Sequence, residues 1–147
     1  MKRDWEELTA TSYHDSVTEI KEAFENQEFE EVSAGLNSLL ESMSQELRRA
    51  LKSQLLRLMM HVVKWKIQPD GRSSGWELSI VNARFLIREI MEEKPSLTRE
   101  VIEDQFWDKL FEQAKKEAWV ETRRKVSIEK LTWEDVFETE YTLGETA

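Results

Sequence analysis

Residues 44–69 read SQELRRALKSQLLRLMMHVVKWKIQP, and their spacing decides the fold class. Leu47, Leu51, Leu55, Leu58, Val62 and Trp65 recur every three or four residues and line one helical face. Leu56, Met60, Val63 and Ile67 line a second. From Leu55 onward the stretch is apolar nearly all round. A helix of that kind belongs in the middle of a bundle rather than at its surface. At about 1.5 Å per residue the helix, expected over about 44–68, is nearly 40 Å long. Pro69 stops it, and Asp70-Gly71 makes a turn.

The flanks carry the same period. Ser74-Gly75-Trp76-Glu77 has the capping-box pattern and opens a helix to about Glu93, with Trp76, Ile80, Ala83 and Ile87 inward. Pro95-Ser96 breaks it. A further helix is expected over about 99–124, with Val101/Ile102, Phe106, Leu110, Ala114 and Ala118 as its inner stripe. Thr132 caps a short last helix over 133–138. Upstream, Ser12 caps a helix over about 13–26 whose apolar stripe is Tyr13, Val17, Ile20 and Phe24. A second, over about 28–42, repeats this with Phe29, Val32, Leu36, Leu39, Leu40 and Met43. The short joint Asn26-Gln27 makes the two antiparallel. No segment alternates as a strand does. The expectation is one all-α domain over 1–147, an irregular bundle of five main helices and a short C-terminal one. Its ordered core is expected over about 12–139, with both termini frayed.

Composition narrows the functional classes. The 147 residues contain no cysteine, which excludes disulfides, thiolate nucleophiles and cysteine-ligated metals. The two histidines, His14 and His61, are too few for HExxH or di-iron sites. No glycine-rich phosphate loop occurs. No cofactor is expected, no stretch reads as a signal or a membrane span, and the expected setting is the cytoplasm. The net charge of −9 is unevenly spread. Residues 1–46 carry −9, residues 47–91 carry +6 and residues 92–147 carry −6. The simplest reading is a basic centre clasped by acidic flanks. The overall acidity opposes nonspecific nucleic-acid binding.

One constellation stands out. Gln54, Arg57, His61, Lys64 and Gln68 form a polar stripe on the apolar central helix. The turn beyond adds Arg72 and Trp76, and the next helix adds Arg84 and Arg88. The stripe faces solvent, or pairs with carboxylates of other helices, or forms a cleft for a small anion with His61 as proton carrier. The candidate cluster is therefore His61, Lys64, Gln68, Arg72, Trp76 and Arg84. Trp5, Trp107, Trp119 and Trp133 are candidate exposed anchors for a partner. Two functional classes follow. The first is a non-enzymatic interaction or regulatory module, self-associating or binding another protein. The second is an anion-binding protein or diverged enzyme built on the cluster. A nucleic-acid accessory role using residues 47–91 ranks third.

The run Leu58-Met59-Met60-His61-Val62-Val63-Lys64-Trp65-Lys66-Ile67-Gln68-Pro69, followed by Arg72 and Trp76, resembles the domain of unknown function 29 family. That family is found in cyanobacteria and other bacteria. Members carry a pattern of the type LMHLLKW-x-x-QP-x-x-R-x-x-x-W, then SPSL, matched here by Pro95-Ser96-Leu97. Members often place paired acids in the second helix where this chain has Ser38 and Leu39; Glu41 is kept. The resemblance spans about residues 13–137. It implies an all-helical bacterial protein and carries no activity.

Overall fold

The structure is a computed structural model, and residues 2–144 are described. Helix follows helix: α1 (Trp5–Thr11), α2 (Tyr13–Glu25), α3 (Phe29–Ile67), α4 (Ser74–Glu93), α5 (Arg99–Ile102) and α6 (Asp108–Thr122). A 3-10 turn, Pro69–Gly71, links α3 to α4. No strand occurs among the described residues, and the all-α expectation holds. The expected fraying of Met1 and residues 145–147 lies outside the described residues. Among those described, no helix is long and apolar enough to cross a membrane.

Several boundaries differ from the expected ones. The two helices expected over 28–42 and 44–68 are one helix of 39 residues. At about 1.5 Å per residue it is about 58 Å long. Nothing between Ser42 and Glu46 breaks a helix: no proline or glycine is present, and one serine is tolerated. Helix α1 precedes the expected ordered core. It is held at its N-cap by Asp4, whose side chain accepts from the Glu7 N–H at 3.2 Å. Ser73, not Ser74, caps α4: its Oγ accepts from the Trp76 N–H at 3.2 Å.

Helices α5 and α6 are joined by a π-turn, Glu103–Trp107. All its residues stay right-handed, so 99–122 is one rod with one extra residue in a turn. That residue rotates the following helix by roughly 100°. Phe111 is therefore buried and Leu110 only half-buried, the reverse of what a regular 3.6 period gives. The rod ends at Arg123, whose φ of 54° is left-handed. Its N–H donates to the Trp119 carbonyl at 2.7 Å.

The chain forms two compact units, Met1–Arg48 and Arg49–Ala147, and α3 runs through both. Each has its own interior. In the C-terminal unit, Leu55, Leu58, Val62, Ile80, Ile87, Ile102, Phe106, Phe111 and Val136 belong to one continuous apolar core. Thr132 caps the last turn, Glu134–Glu138, reciprocally with Asp135. The Thr132 N–H donates to Asp135 at 2.9 Å and the Asp135 N–H to Thr132 Oγ1 at 3.1 Å.

The N-terminal unit has a different interior. Its buried residues are Trp5, Thr9, Ser16, Ala23 and Gly35, and only the tryptophan is large. Tyr13 bonds Glu46 at 2.5 Å near one end of the α2/α3 pair, and the Phe24 and Phe29 rings meet edge-on at 6.0 Å at the other. The two helices are therefore antiparallel, as the short joint implies. The joint closes with Gln27 left-handed at φ 58°. The Glu28 N–H reaches back to Ala23 O at 2.8 Å, and the Gln27 N–H to Phe24 O at 3.0 Å. Gly35 is required by close approach: a Cβ there would lie 2.7 Å from Ile20 and 2.8 Å from the Trp5 ring. Thr9 Oγ1 and Ser38 Oγ are 3.0 Å apart, and Ser42 donates to the Thr9 carbonyl at 3.1 Å. Ser38 thereby helps hold α1 on α3.

Candidate functional site

The polar stripe on α3 divides within the C-terminal unit. Lys64 is buried. Its ammonium meets the Glu121 carboxylate at 2.5 Å and sits 4.6 Å from the centre of the Trp76 ring. Trp76 thus shields one side of a charge pair whose acid, on α6, reaches solvent. Arg57 is exposed. His61, half-buried, uses Nδ1–H to donate to the Arg57 carbonyl at 2.8 Å, which leaves Nε2 as the acceptor. Gln68 caps the end of α3, where its carbonyl accepts from the Gly71 N–H at 3.0 Å.

The arginines are engaged by backbone. Arg72 Nε donates to the Trp65 carbonyl at 2.9 Å, one of the last carbonyls of α3 with no helical partner, and its guanidinium lies 5.2 Å from the Trp65 ring centre. Arg84 Nε donates to Val136 O at 2.8 Å and its Nη2 to Thr139 O at 2.7 Å. Those bonds tie α4 to the C-terminal segment, where Tyr141 lies under the same guanidinium at 5.6 Å. The structure thus brings Lys64, Trp76 and Glu121 together and sets Arg72 against Trp65. It places Arg84 with Val136, Thr139 and Tyr141 instead. Lys66 adds a 3.7 Å ion pair to Asp135. Sequence spacing could not name Glu121 or Asp135, because each is one of many exposed acids until the chain folds. Among the described residues no group of three or more histidines or carboxylates could hold a metal.

Burial holds the His61 imidazole below its ordinary pKa. The Arg57 carbonyl opposes that shift, and the positive charges of Lys64 and Arg57 add to it. The unfolded chain therefore binds this proton more readily than the folded one. The stability His61 preserves is complete above its unfolded pKa of about 6.5 and is lost progressively as pH falls from there through its lower folded value. Urea denaturation between about pH 7 and pH 5 is expected to show decreasing stability, and His61→Gln is expected to flatten that slope. An unchanged slope in the variant would assign the dependence to carboxylates.

The anchor tryptophans sort differently from the expectation. Trp5 and Trp107 are buried, each 7% exposed. Trp5 fills the space over Gly35. Trp107 stacks on Trp133 at 5.7 Å and donates from Nε1 to Leu131 O at 2.9 Å. Trp133 is half-buried between Trp107 and Phe137. Trp119 alone of the four is exposed, at 46%. It borders a shallow groove with Lys116, Lys125 and Val126.

A second surface lies in the N-terminal unit. The apolar stripes expected on its two helices split: Val17, Phe24, Phe29, Leu36, Leu40 and Met43 turn outward and are 41–66% exposed, while Tyr13, Ile20, Val32 and Leu39 are half-buried. The interior beside them is occupied by Trp5, small residues and the half-buried Ile20. On the same unit, Arg3 has a side chain 4% exposed and is surrounded by Glu19 at 2.7 Å, Glu28 at 3.5 Å and Glu31 at 3.8 Å. Glu28 and Glu31, three residues apart, share this cation as a partner.

Fold and sites together define an all-helical protein with a cation-rich cluster around the end of its longest helix. The chain matches the family model described as Domain of unknown function DUF29 over residues 10–145, and it belongs to that family. No curated protein and no solved structure matches it.

Proposed function

We propose that this chain is a non-enzymatic protein-interaction or regulatory module of the cytoplasm, and that it docks through the apolar face of its N-terminal unit. The observation that carries the reading is the seam of six large apolar side chains on α2 and α3. They stay exposed on a unit whose only large buried apolar side chain among the described residues is Trp5. Contiguous apolar surface of this kind on a charged protein marks an interaction site. Spacing of seven residues on α2 and of seven, four and three on α3 suits a helical partner laid against the pair.

The alternative, an anion cleft around His61 and Arg72, has its cations already engaged. Lys64 is on Glu121, Arg72 on Trp65 O, and Arg84 on Val136 O and Thr139 O. We therefore assign that cluster a scaffolding role. A nucleic-acid partner fits poorly with a net charge of −9.

The test is fluorescence anisotropy with a labelled amphipathic helical peptide bearing leucines on one face. Binding in about the micromolar range is expected, and Leu40→Glu is expected to weaken it at least about tenfold, worth about 1.4 kcal/mol. The helical circular dichroism should be unchanged, because Leu40 is 66% exposed. Absence of peptide binding, or binding indifferent to Leu40, would refute the docking surface.

A further inference from the structure

We infer that the occupant of the α2/α3 seam is a second copy of this chain, the two helical pairs joining face to face as a four-helix bundle. The inference rests on the docking surface proposed above and names its partner.

Three observations carry it. The first is shape. The seam is two helices wide and follows the spacing of a bundle interior: Val17 and Phe24 are seven apart on α2, and Phe29, Leu36, Leu40 and Met43 are seven, four and three apart on α3. The Phe24–Phe29 ring contact at 6.0 Å joins the two stripes into one surface. The natural complement of a two-helix layer is another two-helix layer, and a two-fold axis supplies one without any new sequence.

The second observation is area. At the observed exposures, and taking about 150–200 Å² for each such side chain, the seam offers about 600 Å² of apolar surface per copy. A standard interface buries about 800 Å² per partner, so the seam and a narrow polar rim reach that size.

The third is the chemistry of the rim. At about 100° per residue, Ser33, Asn37 and Ser44 border the stripe on α3. Lys21 and Glu25 border it on α2, where they pair with each other at 4.0 Å. A near-neutral rim suits a partner with the same near-neutral rim. A basic helix would need acids there, yet much of the unit's acidity is turned to other work. Glu19, Glu28 and Glu31 surround Arg3, and Glu46 holds Tyr13.

Residues 1–48 nevertheless carry 4 basic and 12 acidic side chains, a net of −8. Two such units repel at long range, and salt screens that repulsion. Self-association should therefore tighten as salt rises, whereas capture of a cationic helix would weaken.

Sedimentation velocity on the full chain tests this. Between about 1 and 200 µM the wild type should pass from monomer to dimer, spanning ordinary transient affinities. Raising sodium chloride from about 0.05 to 0.5 M should lower the dimer dissociation constant severalfold. Leu40→Glu and, separately, Phe24→Glu should leave a monomer with unchanged helical circular dichroism. A wild type that stays monomeric throughout overturns the second-copy inference, as does a dimer indifferent to both substitutions. The peptide titration separates the two readings. A monomer that still binds the leucine-faced peptide through Leu40 keeps the docking surface and loses only its second-copy occupant. A monomer that binds no peptide loses both.

Discussion

Trp107→Ala is expected to lower the stability of the C-terminal unit by about 3–5 kcal/mol, the cost of deleting a large buried aromatic. Three losses combine. The indole is 7% exposed and belongs to the continuous core, so alanine leaves a cavity. Its Nε1–H is the donor to Leu131 O, at 2.9 Å, and that carbonyl is left without it. Its stacking on Trp133, with ring centres at 5.7 Å and planes at 24°, and its contact with Phe137 at 6.2 Å disappear as well. Trp107→Phe keeps most of the ring and loses the hydrogen bond, so about 1 kcal/mol is expected there. Urea denaturation of the two variants measures both. A loss below about 1 kcal/mol for the alanine variant would mean that the aromatic stack contributes little.

Arg84→Met is expected to cost about 2–3 kcal/mol, because it keeps most of the aliphatic stem and removes two charge-assisted hydrogen bonds. The bonds run to Val136 O and Thr139 O, residues far along the chain from α4. The guanidinium is only partly buried, which holds the figure below that for a fully desolvated pair. Arg84→Lys should not restore the loss, since one ammonium cannot reproduce a planar fork across two carbonyls. Hydrogen exchange over residues 134–141 should rise in both variants, reporting release of the C-terminal segment from α4. If Arg84 instead served an anionic ligand, both variants would keep wild-type stability and exchange.

The bonds from Arg84 to Val136 O and Thr139 O join residues that no spacing rule pairs. Period and punctuation were enough to separate the helices of the C-terminal unit: Pro69, Pro95-Ser96 and Thr132 lie between one helical element and the next. The motif around His61 was enough to assign the family. The π-turn at Glu103–Trp107 was not legible, because a one-residue insertion in a helix leaves no mark in composition. It shows only in the exchange of Leu110 for Phe111 in the core. Helix α1 was equally hidden. It is seven residues long and owes its place to Trp5 settling over Gly35, a contact across 30 residues of sequence.

The candidate site followed the same division. That Lys64 sits on an apolar helix and must be paired or wet is a property of spacing, since 3.6 residues per turn puts the stripe on one face. That its partner is Glu121, under the face of Trp76, required the tertiary structure. The sequence by itself determined the all-α class, the period of the apolar stripes and the family, because these depend on period and local motif. Only the tertiary structure decided which stripe turns inward. In the C-terminal unit the large side chains fill the core. In the N-terminal unit Trp5, Ala23 and Gly35 close the interior at short range, and Phe24, Phe29, Leu36 and Leu40 stand at the surface.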